Sequence, residues 1–119
     1  MIALGGSVGA LLRFAMSHGV HSLLGRGFPY GTLFVNVSGS VLMGVGYAVT
    51  VQRADFSDEL RGALFVGLLG AFTTFSTFSL ETLGLLENGE PFKALINVCL
   101  SVGLCLLGCW AGLVLGRQI

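Results

Sequence analysis

Gly70-Ala71-Phe72-Thr73-Thr74-Phe75-Ser76-Thr77-Phe78-Ser79 stands inside an otherwise apolar run covering residues 60–86. Five of these ten residues carry hydroxyls and three are phenylalanine. A helix that only fills space in lipid needs neither. Hydroxyls can satisfy backbone groups freed where a helix breaks, and glycine permits the break. Irregular backbone at membrane depth survives only where protein or water covers it. The decapeptide therefore reads as a broken transmembrane helix lining a polar path. If the chain is helical beyond the break, Phe75, Phe78, Ser79 and Thr82 share one face.

The rest of the chain reads as scaffold for that segment. Of its 119 residues 54% are hydrophobic and 10% charged, with a mean hydropathy of +0.88. Soluble domains average about 25% charged residues. The fold class is all-α and integral to a membrane. A span takes about 20 residues, so four helices, near residues 2–24, 31–51, 60–86 and 92–116, use the chain as a single domain. The first charge is Arg13, so no basic stretch precedes the first apolar run and no cleavable signal is expected. A net charge of zero gives no indication of nucleic acid. Cys99, Cys105 and Cys109 lack metal spacing and read as small apolar packers. No nucleotide loop or nucleophile–base arrangement is visible, so the chain is not expected to be an enzyme.

Each helix carries a polar signal. In the first, Arg13 is costly in a span and is expected to face protein or water, while Gly5 and Gly9 form a GxxxG pair. His18 and His21 suit an interface. A turn over residues 25–30, Gly-Arg-Gly-Phe-Pro-Tyr, leads into the second helix. There Asn36, Ser40, Met43 and Tyr47 share a stripe, and the Asn36 amide must find a hydrogen bond. In the third, Gly62, Gly67 and Gly70 loosen the half before the break, and Glu81 nears its end. In the fourth, Asn97, Ser101 and Cys105 recur every fourth residue, beside a packing stripe of Gly108, Gly112 and Gly116. A phenyl ring has a positive edge, so Phe75 and Phe78 beside so many hydroxyls can contact a partly dehydrated anion.

Four spans place both termini and the loop near Arg53 on one side. That side holds Arg53, Arg61 and Arg117, against Arg26 and Lys93 opposite. So weak a positive-inside bias predicts insertion in both orientations. Four short helices also leave little room for a closed pore. Both facts predict an antiparallel, dual-topology homodimer.

The pieces Gly5-Gly6-Ser7-Val8-Gly9-Ala10 with Arg13-Phe14, Gly31-Thr32-Leu33-Phe34-Val35-Asn36, and Gly67 through Ser79 followed by Glu81 resemble the Fluc (CrcB) family of fluoride channels over almost the whole chain. The block Thr74-Phe75-Ser76-Thr77-Phe78-Ser79 is its most specific part. The resemblance implies a multi-pass protein of the bacterial plasma membrane that passively exports fluoride through two pathways of a homodimer. It implies that Phe75 and Phe78 coordinate fluoride through ring edges, that Asn36 is the supporting amide, and that Ser101 with the residues one turn away, Asn97 among them, forms a polar track. Arg13 would sit in the aqueous vestibule, and the hydroxyls of Thr77 and Ser79 would help line the pathway. Gly70 and Thr73 would offer backbone carbonyls to a structural sodium ion on the two-fold axis. Many relatives carry Tyr at position 97 and Ser at 105; Cys105 is a weak donor. The alternative is a small four-helix, dual-topology cation or drug exporter. That class needs an acidic residue in an early helix, whereas here the first helix carries Arg13 and neither of the first two carries an acid.

Overall fold

A computed structural model describes residues 1–25, 27–52 and 56–119, the Gln52 side chain excepted. Arg26, Arg53 and Asp55, on which part of the charge count rests, lie outside the described residues. The elements are α1 (Ile2–Leu24), α2 (Tyr30–Gln52), α3 (Asp58–Arg61), a π-helical stretch (Gly62–Leu69), α4 (Gly70–Phe72), α5 (Ser76–Glu87) and α6 (Pro91–Gln118). No strand occurs among the described residues.

Helix ends follow local chemistry. Ser57 Oγ accepts the Leu60 N–H at 3.1 Å, and Asp58 and Glu59 occupy the first turn of α3, where carboxylates favour the positive helix end. Gly25 and Gly89 take φ values of +84° and +75°, which side chains rarely tolerate, and so terminate α1 and turn the chain after α5. Pro91 opens α6, where its missing N–H costs nothing.

Among the described residues three segments are long and apolar enough to cross a membrane: Tyr30–Val51, Asp58–Glu87 and Pro91–Gln118. The second of these is the interrupted one, running from α3 through α5. Helix α1 has 23 residues, enough to span at about 1.5 Å each. Arg13, His18 and His21 hold down its apolar character. The chain is thus an all-α membrane protein with a break in the segment that the hydroxyl-rich decapeptide occupies.

Apolar attraction between helices is absent in lipid, so packing depends on close backbone approach. The most extensive contact runs between α2 and α6. A Cβ at Gly112 would strike the Val41 carbonyl and lie 3.0 Å from the Val45 nitrogen. On the other side α1 lies against the π-helical stretch, where a Cβ on Gly5 or Gly9 would strike the carbonyl of Ala63 or Leu68. The expected packing role of both glycine sets is present. Gly112→Val should therefore destabilise strongly, by about 1–3 kcal/mol or more, read as a lower melting temperature in detergent. Gly103→Ala, where nothing lies within 4 Å, should not lower the melt, and alanine's higher helix propensity acts to raise it.

The π-helical stretch was not expected from the sequence. The Gly70 N–H donates to the Phe65 carbonyl, five residues back. A wider turn seldom persists this long and often marks functional segments. It lies directly upstream of the break.

Candidate functional site

The break itself falls at Thr73, whose backbone is extended (φ −82°, ψ 158°). Gly70 is fully helical (φ −62°, ψ −40°), so glycine freedom does not supply the interruption. What supplies it is a pair of β-branched threonines and an amide from another helix. Asn36 on α2 donates from Nδ2 to the Thr74 carbonyl at 2.8 Å, and its Oδ1 accepts the Thr74 N–H at 2.7 Å. One side chain thus satisfies both backbone groups of one unwound residue. Thr74 Oγ1 in turn accepts the Thr77 N–H at 3.2 Å, which makes Thr74 the working cap of the helix that follows. The same hydroxyl donates to Thr77 Oγ1 at 3.1 Å.

Diverting those N–H groups has a consequence upstream. Thr74 N–H would ordinarily bond the Gly70 carbonyl, and Thr77 N–H the Thr73 carbonyl. Both carbonyls lose their usual donors. They also lie at the negative C-terminal end of a half-helix. This oxygen-only donor set fits a hard cation, and half-helix carbonyl ends hold Na⁺ in other membrane folds. Gly70 is exposed on the single chain, so the fit leaves room for oxygens from a second one. The Ala71 carbonyl, released from Phe75 N–H by the same break, accepts from Arg13 Nε at 3.1 Å.

Beside the break runs an open groove of about 410 Å³. Asn36, Ser40 and Met43 from α2 form one wall, Thr73, Thr74, Phe75 and Phe78 the break side, and Ser101 and Cys105 from α6 a third. The rings of Phe75 and Phe78 are 5.4 Å apart, tilted by 46°. Phe78 is buried, whereas Phe75 is 77% exposed on the single chain. The sequence stripe Asn36-Ser40-Met43 thus faces the phenylalanine pair. Each Asn amide carries two N–H donors. One goes to Thr74, and the other has no partner among the described residues, on a residue that lines the groove.

The remaining candidates separate from it. Arg13 lines a second pocket of about 230 Å³ with Ser17, His18, His21, Thr32, Thr74 and Thr77. Thr74 is the residue common to both pockets. Thr77 therefore faces the arginine side of the break. Ser79 is exposed and returns its hydroxyl proton to the Phe75 carbonyl at 3.0 Å. Asn97 is 1% exposed and is not part of the groove wall; it bonds Thr82 on α5 and Ser101 on its own helix. Glu81 lines a third pocket with His21 and Asn88, with one carboxylate oxygen buried and unpartnered. Among the described residues no group of three or more His, Cys, Asp or Glu side chains is placed to hold a metal.

Sequence reading passed over Thr74 as a site residue, though it joins both pockets and caps α5. The spacing Thr74-x-x-Thr77 before an apolar run was the available signal. It also passed over the tie from Thr82 to Asn97, which needs two helices at once.

The sequence model of the family described as "CrcB-like protein, Camphor Resistance (CrcB)" matches residues 1–113. A protein of Methylococcus capsulatus named "Fluoride-specific ion channel FluC" is 58% identical over 118 residues, which cover 99% of this chain and 52% of the relative. Proteins of the same name from Geobacter sulfurreducens and Magnetococcus marinus are 51% and 50% identical, with 99% of this chain and 95% and 96% of the relatives covered. The chain thus spans about half of the first relative and nearly all of the other two.

Proposed function

We infer that this chain, which belongs to the CrcB-like family, is a fluoride-selective channel that lets fluoride leave the bacterial cytoplasm passively. The observation that carries the reading is the groove where the two phenylalanine rings, the Asn36 amide and the Ser101 hydroxyl meet beside a helix break. Fluoride is small and strongly hydrated, so stripping its water is very costly. A path must replace that water and still release the ion. The free Asn36 N–H, the Ser101 hydroxyl and the positive ring edges of Phe75 and Phe78 each supply part of a hydration shell. No acidic side chain lines this groove, and neither α1 nor α2 contains one, so a cation exporter would lack its counter-charge there.

The proposed working unit is an antiparallel homodimer with two such pathways, with α1 as a fourth span. Three features support it: the groove is open on the single chain, Phe75 is largely uncovered, and Gly70 is exposed. A second copy would close the groove and complete the cation's oxygen shell. In this scheme Gly70 and Thr73 would hold a structural sodium ion, which would add positive potential near the anion path. Arg13, tied to the Ala71 carbonyl, would contribute the same sign from the neighbouring pocket.

Liposomes containing the purified chain, followed with a fluoride-selective electrode, test the reading. Rapid fluoride efflux with negligible chloride efflux is expected. Equal rates for both ions, or no fluoride efflux, would overturn it.

A further inference from the structure

Asn97 is almost wholly buried, yet the groove is not what it contacts. Its Nδ2 donates to Thr82 Oγ1 at 2.8 Å. The Thr82 hydroxyl is itself committed, donating to the Phe78 carbonyl at 2.7 Å. Thr82 can therefore meet Asn97 only as an acceptor. This settles the orientation of the amide: its NH₂ faces α5, and its carbonyl oxygen turns toward Ser101.

Ser101 Oγ donates to that oxygen at 3.4 Å. The usual O–H···O range is about 2.5–3.0 Å, so this proton is loosely held. A helical serine commonly gives its proton to the carbonyl four residues back. Ser7, Ser22 and Ser79 do so, at 2.9, 3.0 and 3.0 Å. For Ser101 the acceptor is the Asn97 side chain instead, one turn back on the same helix. The Ser101 hydroxyl, on a residue that lines the groove, thus keeps a weak partner, where those of Ser7, Ser22 and Ser79 have a tight one.

We propose that Thr82 and Asn97 form a positioning relay that keeps the Ser101 proton available to the permeating anion. This rests on the fluoride-channel reading. With the ion absent, the proton rests on Asn97 Oδ1. As the anion arrives, the hydroxyl turns into the groove at small cost and donates to it. As the anion leaves, the hydroxyl turns back to the amide oxygen. Such a partner suits an ion that must bind and then be released. Without the relay, Ser101 reverts to the tight backbone bond of an ordinary helical serine. Neither Thr82 nor Asn97 touches the ion; both act through Ser101.

A double-mutant cycle in the liposome efflux assay tests this. Thr82→Val keeps the side-chain shape and removes the hydroxyl. It should slow fluoride efflux roughly five- to tenfold, the range that one ordinary hydrogen bond commands, and Thr82→Ser should restore the rate. In a Ser101→Ala background, where the slower efflux is followed for longer in the same vesicles, Thr82→Val should change nothing further. An equal slowing in both backgrounds, or none in either, would overturn the relay. If Thr82→Val does not assemble, Asn97→Ser is taken through the same cycle: slowing only with Ser101 present supports the relay, and any other pattern overturns it. Absence of fluoride efflux from the unmodified chain would instead remove the channel reading on which the relay depends.

Discussion

Asn36→Asp should reduce fluoride efflux by about a hundredfold or more. In the native chain the amide donates to the Thr74 carbonyl and accepts the Thr74 N–H. Aspartate can keep the second bond. Its other oxygen then faces the Thr74 carbonyl, acceptor against acceptor, and the donor left for the groove is gone. Leaving a buried carbonyl unpaired costs about 1–3 kcal/mol, and the new negative charge opposes an anion directly. Two decades of rate correspond to about 2.7 kcal/mol, within reach of these two effects combined. Asn36→Leu separates them, because it removes the clamp without adding charge. It should also impair flux and lower the melting temperature, since both backbone groups of Thr74 lose their partner. Wild-type efflux in the Asp variant would remove Asn36 from the path.

Phe75→Ile and Phe78→Ile should each abolish measurable fluoride efflux while the assembly, followed by size-exclusion chromatography, stays intact. Isoleucine keeps the apolar bulk and lacks the positive ring edge. The two positions differ in what else they risk. Phe78 is 9% exposed and packed, so a smaller side chain there also leaves a cavity. Phe75 is exposed on the single chain, so its replacement leaves no cavity within one subunit, and the size-exclusion profile reports any loss of packing against the second copy. Loss of flux in Phe75→Ile with an unchanged melting temperature would therefore be the cleaner support. Unchanged flux in both variants would rule out the ring assignment.

The groove was partly legible in the sequence. Helical spacing placed Asn36, Ser40, Met43 and Tyr47 on one stripe and Asn97, Ser101 and Cys105 on another; the groove takes all of these but Tyr47 and Asn97. The interruption of the third apolar segment was legible too, because five hydroxyls in ten residues have no use in lipid. Its cause was misplaced. Gly70 looked like the weak point, but it is helical, and the chain unwinds three residues later at Thr73. Local propensity points to glycine; the actual break needs an amide brought from a helix some 38 residues earlier in the chain. Asn97 shows the same limit. Its spacing put it in line with Ser101, but its burial against Thr82 depends on how α5 and α6 meet.

Composition and periodicity by themselves determined that this chain is helical, sits in a membrane, and concentrates five hydroxyls and three phenylalanines in a single interrupted segment. They could do so because lipid makes every unneeded polar group expensive. Only the tertiary structure decided which backbone groups are released and which side chains take them. Asn36 claims Thr74, Arg13 claims Ala71, and the carbonyls of Gly70 and Thr73 are left without their usual donors. A hydrogen bond between distant helices depends on distances of a few tenths of an ångström, and no one-dimensional pattern carries that information.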